Sequence, residues 1–286
     1  MEHQVLRPGE PGYPRRLIER LDAAAPVLHR HGPLKLLDRF TLAVAASDEI
    51  PGRAILATND LLFTIRNYAL NYVGGWHSVM ETEIFRLALY RRNDPGALRS
   101  LTLCSARGLD RETWDRILAD RFGETGPFTG FPEKEEYYRR ARDGEILVLS
   151  AADPSAEEFT FESILTRNWI ACLLADVIFI PFAAKGTKTY ILCERLLASG
   201  IPIFTSDCPE NTDLFALGIR PYGRRHVGRF LEQLGASTTG ERPFPEAAEA
   251  PSAPILPAST EPPKQALLWG EQRRATPTPP GDTKRS

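Results

Sequence analysis

The sequence predicts an α/β protein with helices on both faces of a mostly parallel sheet of about six or more strands. Continuous apolar runs of strand length alternate with longer segments in which apolar residues recur at helical spacing. The chain has 286 residues, of which 42% are hydrophobic, and this suffices for one substantial core. No apolar run approaches about 18 residues and the start of the chain has no signal-peptide pattern, so we expect a cytoplasmic protein without membrane contact.

The first half of the chain supplies the first predicted strands and helices. Residues 41–46 read as a buried strand, and residues 54–72 have the apolar spacing of a helix. Residues 72–75 predict the next strand, after which Ser78 and Glu81 form a capping-box pattern that begins a helix running toward Arg92.

The second half continues the alternation. Strands are predicted at residues 101–104 and 146–149, with intervening helices that begin near Asp110 and Pro132. Residues 161–175 predict a helix, residues 177–182 a buried strand, and residues 201–204 the last strand. Ligands of parallel sheets bind beyond the carboxyl ends of the strands. The candidate segments are therefore residues 47–48, 74–78, 105–110, 150–153, 183–189 and 205–211.

The composition divides the chain into three expected regions. Residues 1–40 are a lead-in segment that packs on the core, residues 41–236 form the α/β domain, and residues 237–286 are a disordered tail. Ten prolines follow from Pro243 onward, and such a segment buries too little apolar surface to offset its chain entropy. Its apolar island, QALLWG at residues 265–270, is either inert or docks on a partner or on the domain.

The most informative loop lies between the strand at 177–182 and the following helix. A helix start offers unpaired backbone N–H groups and the positive end of the helix dipole, which suit a phosphate or a nucleic-acid backbone. The P-loop pattern is absent, and simple helix capping is the alternative interpretation. The residues concerned are Lys185, Gly186, Thr187, Lys188 and Thr189.

A second candidate turn contains two consecutive glycines. Gly74 and Gly75 permit close approach of the backbone or a positive φ. Trp76 offers a stacking face and His77 a titratable donor. The alternative is a tight turn with Trp76 in the core.

Arginines mark three further segments. Arg107 is expected to pair with a phosphate, or else with Asp110 or another carboxylate. Arg167 and Asn168 interrupt an apolar helix, either to face a ligand or to line a solvated face. A basic cluster near the end of the domain is either a nucleic-acid contact or a solvated helix face. It comprises Arg220, Arg224, Arg225, His226 and Arg229.

Several kinds of chemistry lack support. The chain has no G-x-S-x-G, no H-E-x-x-H and no Cys/His motif, so we expect no catalytic residue. Its four cysteines are scattered without a C-x-x-C, so neither a metal site nor a disulfide is implied. No cofactor is expected. The net charge of −2 confines any nucleic-acid site to a local patch.

Taken together, these segments resemble the DprA/Smf family of DNA-processing proteins, within the Rossmann-like SLOG group. Residues 167–171, Arg-Asn-Trp-Ile-Ala, are similar to the family's Arg-Asn-x-x-Ile/Ala helix, and residues 185–189 stand in place of its Gly-Ser-x-x-Thr loop. Residues 211–214, with Gly218, resemble its closing segment. The family's Gly-Ser-Arg turn corresponds to Ser47, here followed by Asp48.

The resemblance implies a Rossmann-like three-layer sandwich that binds single-stranded DNA without a known reaction. It also implies a role in DNA uptake, transformation or recombination, with RecA and a second copy of the chain as further partners. Together with the residue patterns, it predicts a set of DNA or phosphate contacts. These are Ser47, Gly74, Gly75, His77, Arg107, Arg167, Asn168, Lys185, Gly186, Thr187, Lys188 and Thr189.

Two alternatives use the same edge of the sheet. A LOG-like nucleotide-processing enzyme would hydrolyse an N-glycosidic bond through a Gly-Gly-x-Gly-Thr-x-x-Glu motif. Gly186 and Thr187 match its centre, but Tyr190 occupies the glutamate position. The other alternative is a nucleotide sensor of the SLOG type that binds a small ligand without catalysis.

Overall fold

The computed structural model describes residues 1–89, 99–122 and 133–238, and within them nine strands form one sheet. The strands are β1 (Gln4–Leu6), β2 (Leu28–His31), β3 (Thr41–Val44), β4 (Asn71–Gly74), β5 (Ser100–Ser105), β6 (Ile146–Ser150), β7 (Val177–Phe179), β8 (Ile203–Ser206) and β9 (Arg220–Tyr222). The helices are α1 (Arg15–Leu21), α2 (Gly52–Ile65), α3 (Val79–Leu89), α4 (Trp114–Phe122), α5 (Lys134–Arg142), α6 (Phe161–Leu173), α7 (Lys188–Leu196), α8 (Thr212–Ala216) and α9 (Val227–Gln233).

The order of the strands creates a switch point in the middle of the sheet. That order is β1-β2-β6-β5-β4-β3-β7-β8-β9, and every neighbouring pair from β6 to β9 is parallel. From β3 the chain builds outward to β6 on one side, and then returns to place β7 on the other side of β3. The register sets Val44 opposite Phe179. The carboxyl ends of β3 and β7 are therefore the place at which ligands of such sheets bind.

Alternation along the central strands produces two cores, one on each face of the sheet. Leu42 and Val44 of β3 join the core beneath α2, α3, α4, α5 and α9, whereas Ala43 and Ala45 join the core beneath α1, α6, α7 and α8. Both surfaces of the sheet are covered. The predicted α/β fold with a mostly parallel sheet is confirmed.

Sequence signals located the central elements better than the edges. The predicted strand at 177–182 ends at Phe179 in the structure, and the predicted strand at 201–204 begins at Ile203. Strands β1, β2 and β9, at or next to the edges of the sheet, were not predicted, because they are partly exposed and polar and form no continuous apolar run. β1 and β2 belong to the lead-in segment and extend the sheet, since β2 pairs antiparallel with β6 and β1 pairs antiparallel with β2.

Some sequence predictions lie outside the described residues. They concern the helix end near Arg92, the helix start at Pro132 and the tail from residue 239 onward. Within the described ranges, no helix combines the length and apolar character needed to cross a bilayer.

Candidate nucleic-acid interface

Ser47 and Thr187 meet across the switch point. The backbone N–H of Ser47 donates to the Phe182 carbonyl at 3.1 Å, and Ser47 Oγ donates to Thr187 Oγ1 at 3.3 Å. These bonds join the loop after β3 to the loop after β7. Two of the predicted contact residues, separated by 140 positions in the chain, are thus neighbours in space.

The loop that contains Lys185 and Thr187 forms several hydrogen bonds within the protein itself. Thr187 caps α7, since its hydroxyl accepts from the Tyr190 N–H at 3.2 Å and donates to the Ala184 carbonyl at 2.7 Å. The N–H of Lys185 donates to Asp213 Oδ2 at 2.8 Å. The helix-capping interpretation is therefore correct for Thr187.

Other groups of the same loop have no acceptor in the described part of the chain. They are the backbone N–H groups of Gly186, Lys188 and Thr189. The side chains of Lys185 and Lys188 are exposed and form no ion pair with any described residue. The Lys188 ammonium lies 5.3 Å from the ring centroid of Phe161. The loop thus retains donors that can receive an anion from solvent.

The two glycines after β4 serve close approach rather than an unusual backbone angle. A Cβ on Gly75 would lie 2.5 Å from Arg167 Cζ, and a Cβ on Gly74 would lie 3.0 Å from the Val44 carbonyl oxygen. Arg167, from the second turn of α6, therefore rests against the turn after β4. Its side chain is buried, and its Nε donates to Asn168 Oδ1 at 3.0 Å. Its two Nη nitrogens have no acceptor among the described residues.

Glu81 holds two loops of the site together. Its buried carboxylate accepts from the Ala46 N–H at 3.0 Å and from the His77 N–H at 2.9 Å. Burial raises the pKa of Glu81, while the positive charge of Arg167 and these backbone bonds act in the opposite direction. The predicted capping pattern is present, because the Glu81 N–H donates to Ser78 Oγ at 3.3 Å. The hydrogen bond between the Ala46 N–H and the Glu81 carboxylate was not predicted from the sequence.

His77 lies within a group of three arginines. Burial, together with the positive charges of Arg121, Arg167 and Arg107, lowers its pKa to about 2. His77 is consequently neutral at physiological pH. Arg121, from α4, was not predicted from the sequence; burial lowers its pKa to about 10, and its Nη1 donates to the Ile117 carbonyl at 2.8 Å.

Arg107 differs from Arg121 and Arg167 because carboxylates neutralise it. Its guanidinium forms an ion pair with Glu112 at 3.1 Å and another with Asp120. The alternative of carboxylate pairing therefore describes Arg107, although its partners differ from the expected Asp110. The guanidinium also lies 4.4 Å from the ring centroid of Phe159.

The aromatic side chains at this edge differ from those the sequence indicated. Trp76 is fully buried with φ of +66°, and its Nε1 donates to the Thr102 carbonyl at 3.2 Å, so the core interpretation is correct. Trp169 is half-buried against the core beneath α1, α6, α7 and α8. The exposed rings are Phe159 and Phe161, with 41% and 56% of their surface accessible. The available sequence signal was two phenylalanines in an otherwise polar stretch, on either side of the capping Thr160.

The basic cluster near the end of the domain lies around β9 and the start of α9, away from this group. There the Arg224 guanidinium lies 4.3 Å from the Phe63 ring centroid, and that of Arg66 lies 3.7 Å from the same ring. Among the described residues, no group of His, Cys, Asp or Glu side chains is arranged to hold a metal ion.

Comparison with known proteins finds similarity in structure. No protein-family model matches the chain, and neither does any curated protein. DNA processing protein A (DprA) from Streptococcus pneumoniae has a TM-score of 0.59 and 20% sequence identity, covering 81% of this chain and 74% of its own. DNA processing protein A from Helicobacter pylori, whose structure is described for a unique single-stranded DNA binding mode, has a TM-score of 0.57 and 17% identity, covering 81% and 96%. The predicted resemblance to DprA is confirmed at the level of the fold.

Proposed function

We propose that this protein is a DprA-like DNA-processing protein that binds single-stranded DNA along the carboxyl edge of its sheet. The observation that carries the proposal is the pair of exposed rings, Phe159 and Phe161, each beside a cation at this edge. Bases of a single strand stack on such rings, and nearby cations contact the phosphates.

The stacking surface favours a single strand over a duplex. The bases of a duplex are stacked on one another and present only their edges, whereas unpaired bases expose their faces. Phe159 and Phe161 are separated only by Thr160, whose side chain is occupied in capping α6. The two rings are therefore close enough to serve neighbouring nucleotides.

Cationic side chains that can donate hydrogen bonds to phosphates lie at the same edge as the two rings. Lys188 stands beside Phe161, and the exposed Lys185 lies in the same loop. Arg167 adds two Nη nitrogens without protein acceptors. Contacts of this kind position a strand but do not read its sequence. Little preference for base sequence is expected.

The structural likeness to the H. pylori DprA supports the same conclusion, because that protein is described as binding single-stranded DNA. Participation in DNA uptake, transformation or recombination is part of the proposal. So are delivery of the strand to RecA and formation of a homodimer. These three roles rest on the resemblance and have no residue of this chain assigned to them.

Fluorescence anisotropy with labelled single-stranded and duplex oligonucleotides tests the proposal. We expect the single strand to bind more tightly, and Phe161→Ala to weaken its binding by about 1–3 kcal/mol, the usual contribution of one base–aromatic stack. Leu197→Ala is the matched control, since Leu197 is an exposed apolar residue that follows α7. Equal affinity for both forms of DNA, or equal effects of the two substitutions, would contradict the proposal.

Two further assays separate the alternatives. Release of adenine from AMP would indicate the nucleotide hydrolase instead. A thermal shift with mononucleotides but none with oligonucleotides would indicate the sensor.

A further inference from the structure

We propose that Arg121, Arg167 and His77 form a subsite for a terminal phosphate, the phosphomonoester of a strand end or of a nucleotide. We call these three residues the arginine recess. For a strand end, the inference rests on the proposed function and specifies which part of the DNA enters the site. The sequence indicated His77 and Arg167 but not Arg121, because Arg121 comes from a helix that carried no expected contact.

The charges of the recess are not matched by direct ion pairs. Within the described residues, neither Arg121 nor Arg167 forms a salt bridge, whereas the adjacent Arg107 is paired with Glu112 and Asp120. Contacts place the three side chains in one neighbourhood: Arg167 lies against Gly75, two residues before His77, and the His77 ring centroid lies 5.7 Å from that of Phe159. The Arg107 guanidinium contacts the same Phe159 ring and pairs with Asp120, the neighbour of Arg121 in α4. Burial lowers the pKa of Arg121, and the positive charges of Arg167 and Arg107 act in the same direction, so these guanidinium groups repel one another. A bound anion would relieve this repulsion.

Acidic groups approach the recess only at longer range. Glu81 and Asp48 act on Arg167 through their charges, and Glu112 acts in the same way on Arg121. The Glu81 carboxylate is already committed to the N–H groups of Ala46 and His77. These carboxylates moderate the positive potential but accept no hydrogen bond from either guanidinium.

Hydrogen-bond donors of the recess have no acceptors in the described chain. Arg167 is only 7% exposed, yet its bond to Asn168 uses Nε alone. Arg121 donates through Nη1 to Ile117, and its buried Nε has no acceptor. The His77 ring makes no described hydrogen bond, and as a neutral imidazole it offers one N–H without adding charge. A buried donor without an acceptor, such as Arg121 Nε, is costly, and oxygen atoms of a ligand would give acceptors to this and the neighbouring donors.

A terminal phosphate fits this recess better than one within a strand. An internal phosphodiester has only two unsubstituted oxygens and must let the chain continue on both sides. A monoester has three free oxygens and carries about −1.5 to −2 charges at pH 7. It can enter phosphate-first beside Phe159, whose ring centroid lies 5.7 Å from that of His77. The attached base would then stay at the exposed ring.

The test compares oligonucleotides of one sequence that carry a 5′-phosphate, a 3′-phosphate or only hydroxyl ends. We expect one phosphorylated form to bind at least about tenfold more tightly than the hydroxyl form, as charge-assisted hydrogen bonds to two arginines imply. Arg121→Gln and Arg167→Gln should each bring this ratio close to one. Arg15→Gln is the control, because it removes an equal charge at an arginine that is 89% exposed on α1.

A pH series gives a second readout that loss of folding would not imitate. The second ionisation of a phosphomonoester has a pKa of about 6, so the preference for the phosphorylated strand should rise between about pH 5 and pH 7. Hydroxyl-ended strands lack this group and should show no such rise. Arg121→Lys keeps the positive charge and should retain part of the preference if the variant with glutamine has lost it.

Competition distinguishes the two sources of the phosphate. Displacement of the phosphorylated strand by AMP, but not by adenosine, would support a recess that also accepts nucleotides. Failure of AMP to compete, with the preference for one phosphorylated end intact, would support recognition of strand ends. Equal binding of phosphorylated and hydroxyl strands would overturn this inference and leave the proposed function standing. Absence of all oligonucleotide binding would overturn the proposed function instead.

Discussion

The guanidinium of Arg167 lies so close to the backbone of Gly75 that a Cβ at position 75 would be 2.5 Å from Arg167 Cζ. The glycine therefore makes room for a buried arginine rather than for a special backbone angle. Since Arg167 comes from α6 and Gly75 from the turn after β4, this contact connects two segments that are far apart in the sequence. It sets the position of the arginine at the carboxyl edge.

Gly75→Ala tests this contact. The added methyl group has to displace the guanidinium, so we expect a loss of about 1–3 kcal/mol in the free energy of unfolding. The affinity for single-stranded DNA should fall by roughly tenfold, since a charge-assisted contact is lost or misplaced. Urea denaturation and anisotropy measure the two effects. Gly52→Ala is the control, because a Cβ there has no neighbour within 4 Å; similar losses in both variants would contradict this account.

Glu81→Gln tests the carboxylate that joins the loops after β3 and β4. Glutamine has one acceptor oxygen, so its amide group would face either the Ala46 or the His77 N–H. We expect a destabilisation of about 1–3 kcal/mol near pH 7, with weaker DNA binding as the loops separate. Glu83→Gln, on the same helix but half-exposed, should have little effect. An unchanged stability in the Glu81 variant would show that the carboxylate does not hold the loops.

The pH dependence of the free energy of unfolding should reveal the titration of Glu81. Burial raises the pKa of Glu81 in the folded state, so the folded protein holds this proton more tightly than the unfolded chain does. Its contribution to stability is therefore complete below the unfolded pKa and declines as the pH rises through the folded value. We expect urea midpoints of the wild type to show this decline and those of Glu81→Gln to lack it. Parallel profiles for the two proteins would contradict the assignment.

Lys185 and Lys188 are expected to contact phosphates. Each neutralised phosphate of a single strand adds about 0.7 to the slope of log affinity against log salt. Lys185→Gln and Lys188→Gln should therefore each reduce that slope by roughly this amount and weaken binding at low salt. Lys35→Gln, at an exposed lysine in the lead-in segment, is the control. Slopes that stay equal in all three variants would remove the two lysines from the interface.

Trp76 should affect folding rather than binding. Trp76→Phe removes the donor to the Thr102 carbonyl and leaves space in the core beside Phe85. We expect a destabilisation of about 1–3 kcal/mol and no change in the affinity for single-stranded DNA. Weaker binding by a folded Trp76→Phe protein would contradict the assignment of stacking to Phe159 and Phe161.

The fold class, and the edge of the sheet on which to look for a site, follow from local patterns in the sequence. Apolar strand runs, helical spacing and capping residues are local signals, and they identified the central strands, α6 and the start of α3. Thr187 at the start of α7 was recognised as a helix-start residue for the same reason. Such signals depend only on neighbours in the chain, so they survive without knowledge of the strand order.

The tertiary structure alone decided which of these segments meet. The switch point between β3 and β7 brings Ser47 to Thr187, and the crossing of α6 brings Arg167 to Gly75. Arg121 joins His77 only through the packing of α4, and the same packing buries Trp76 while leaving Phe159 exposed. Contacts between residues far apart in sequence depend on strand order and on which face each helix covers, and no local pattern of residues encodes either.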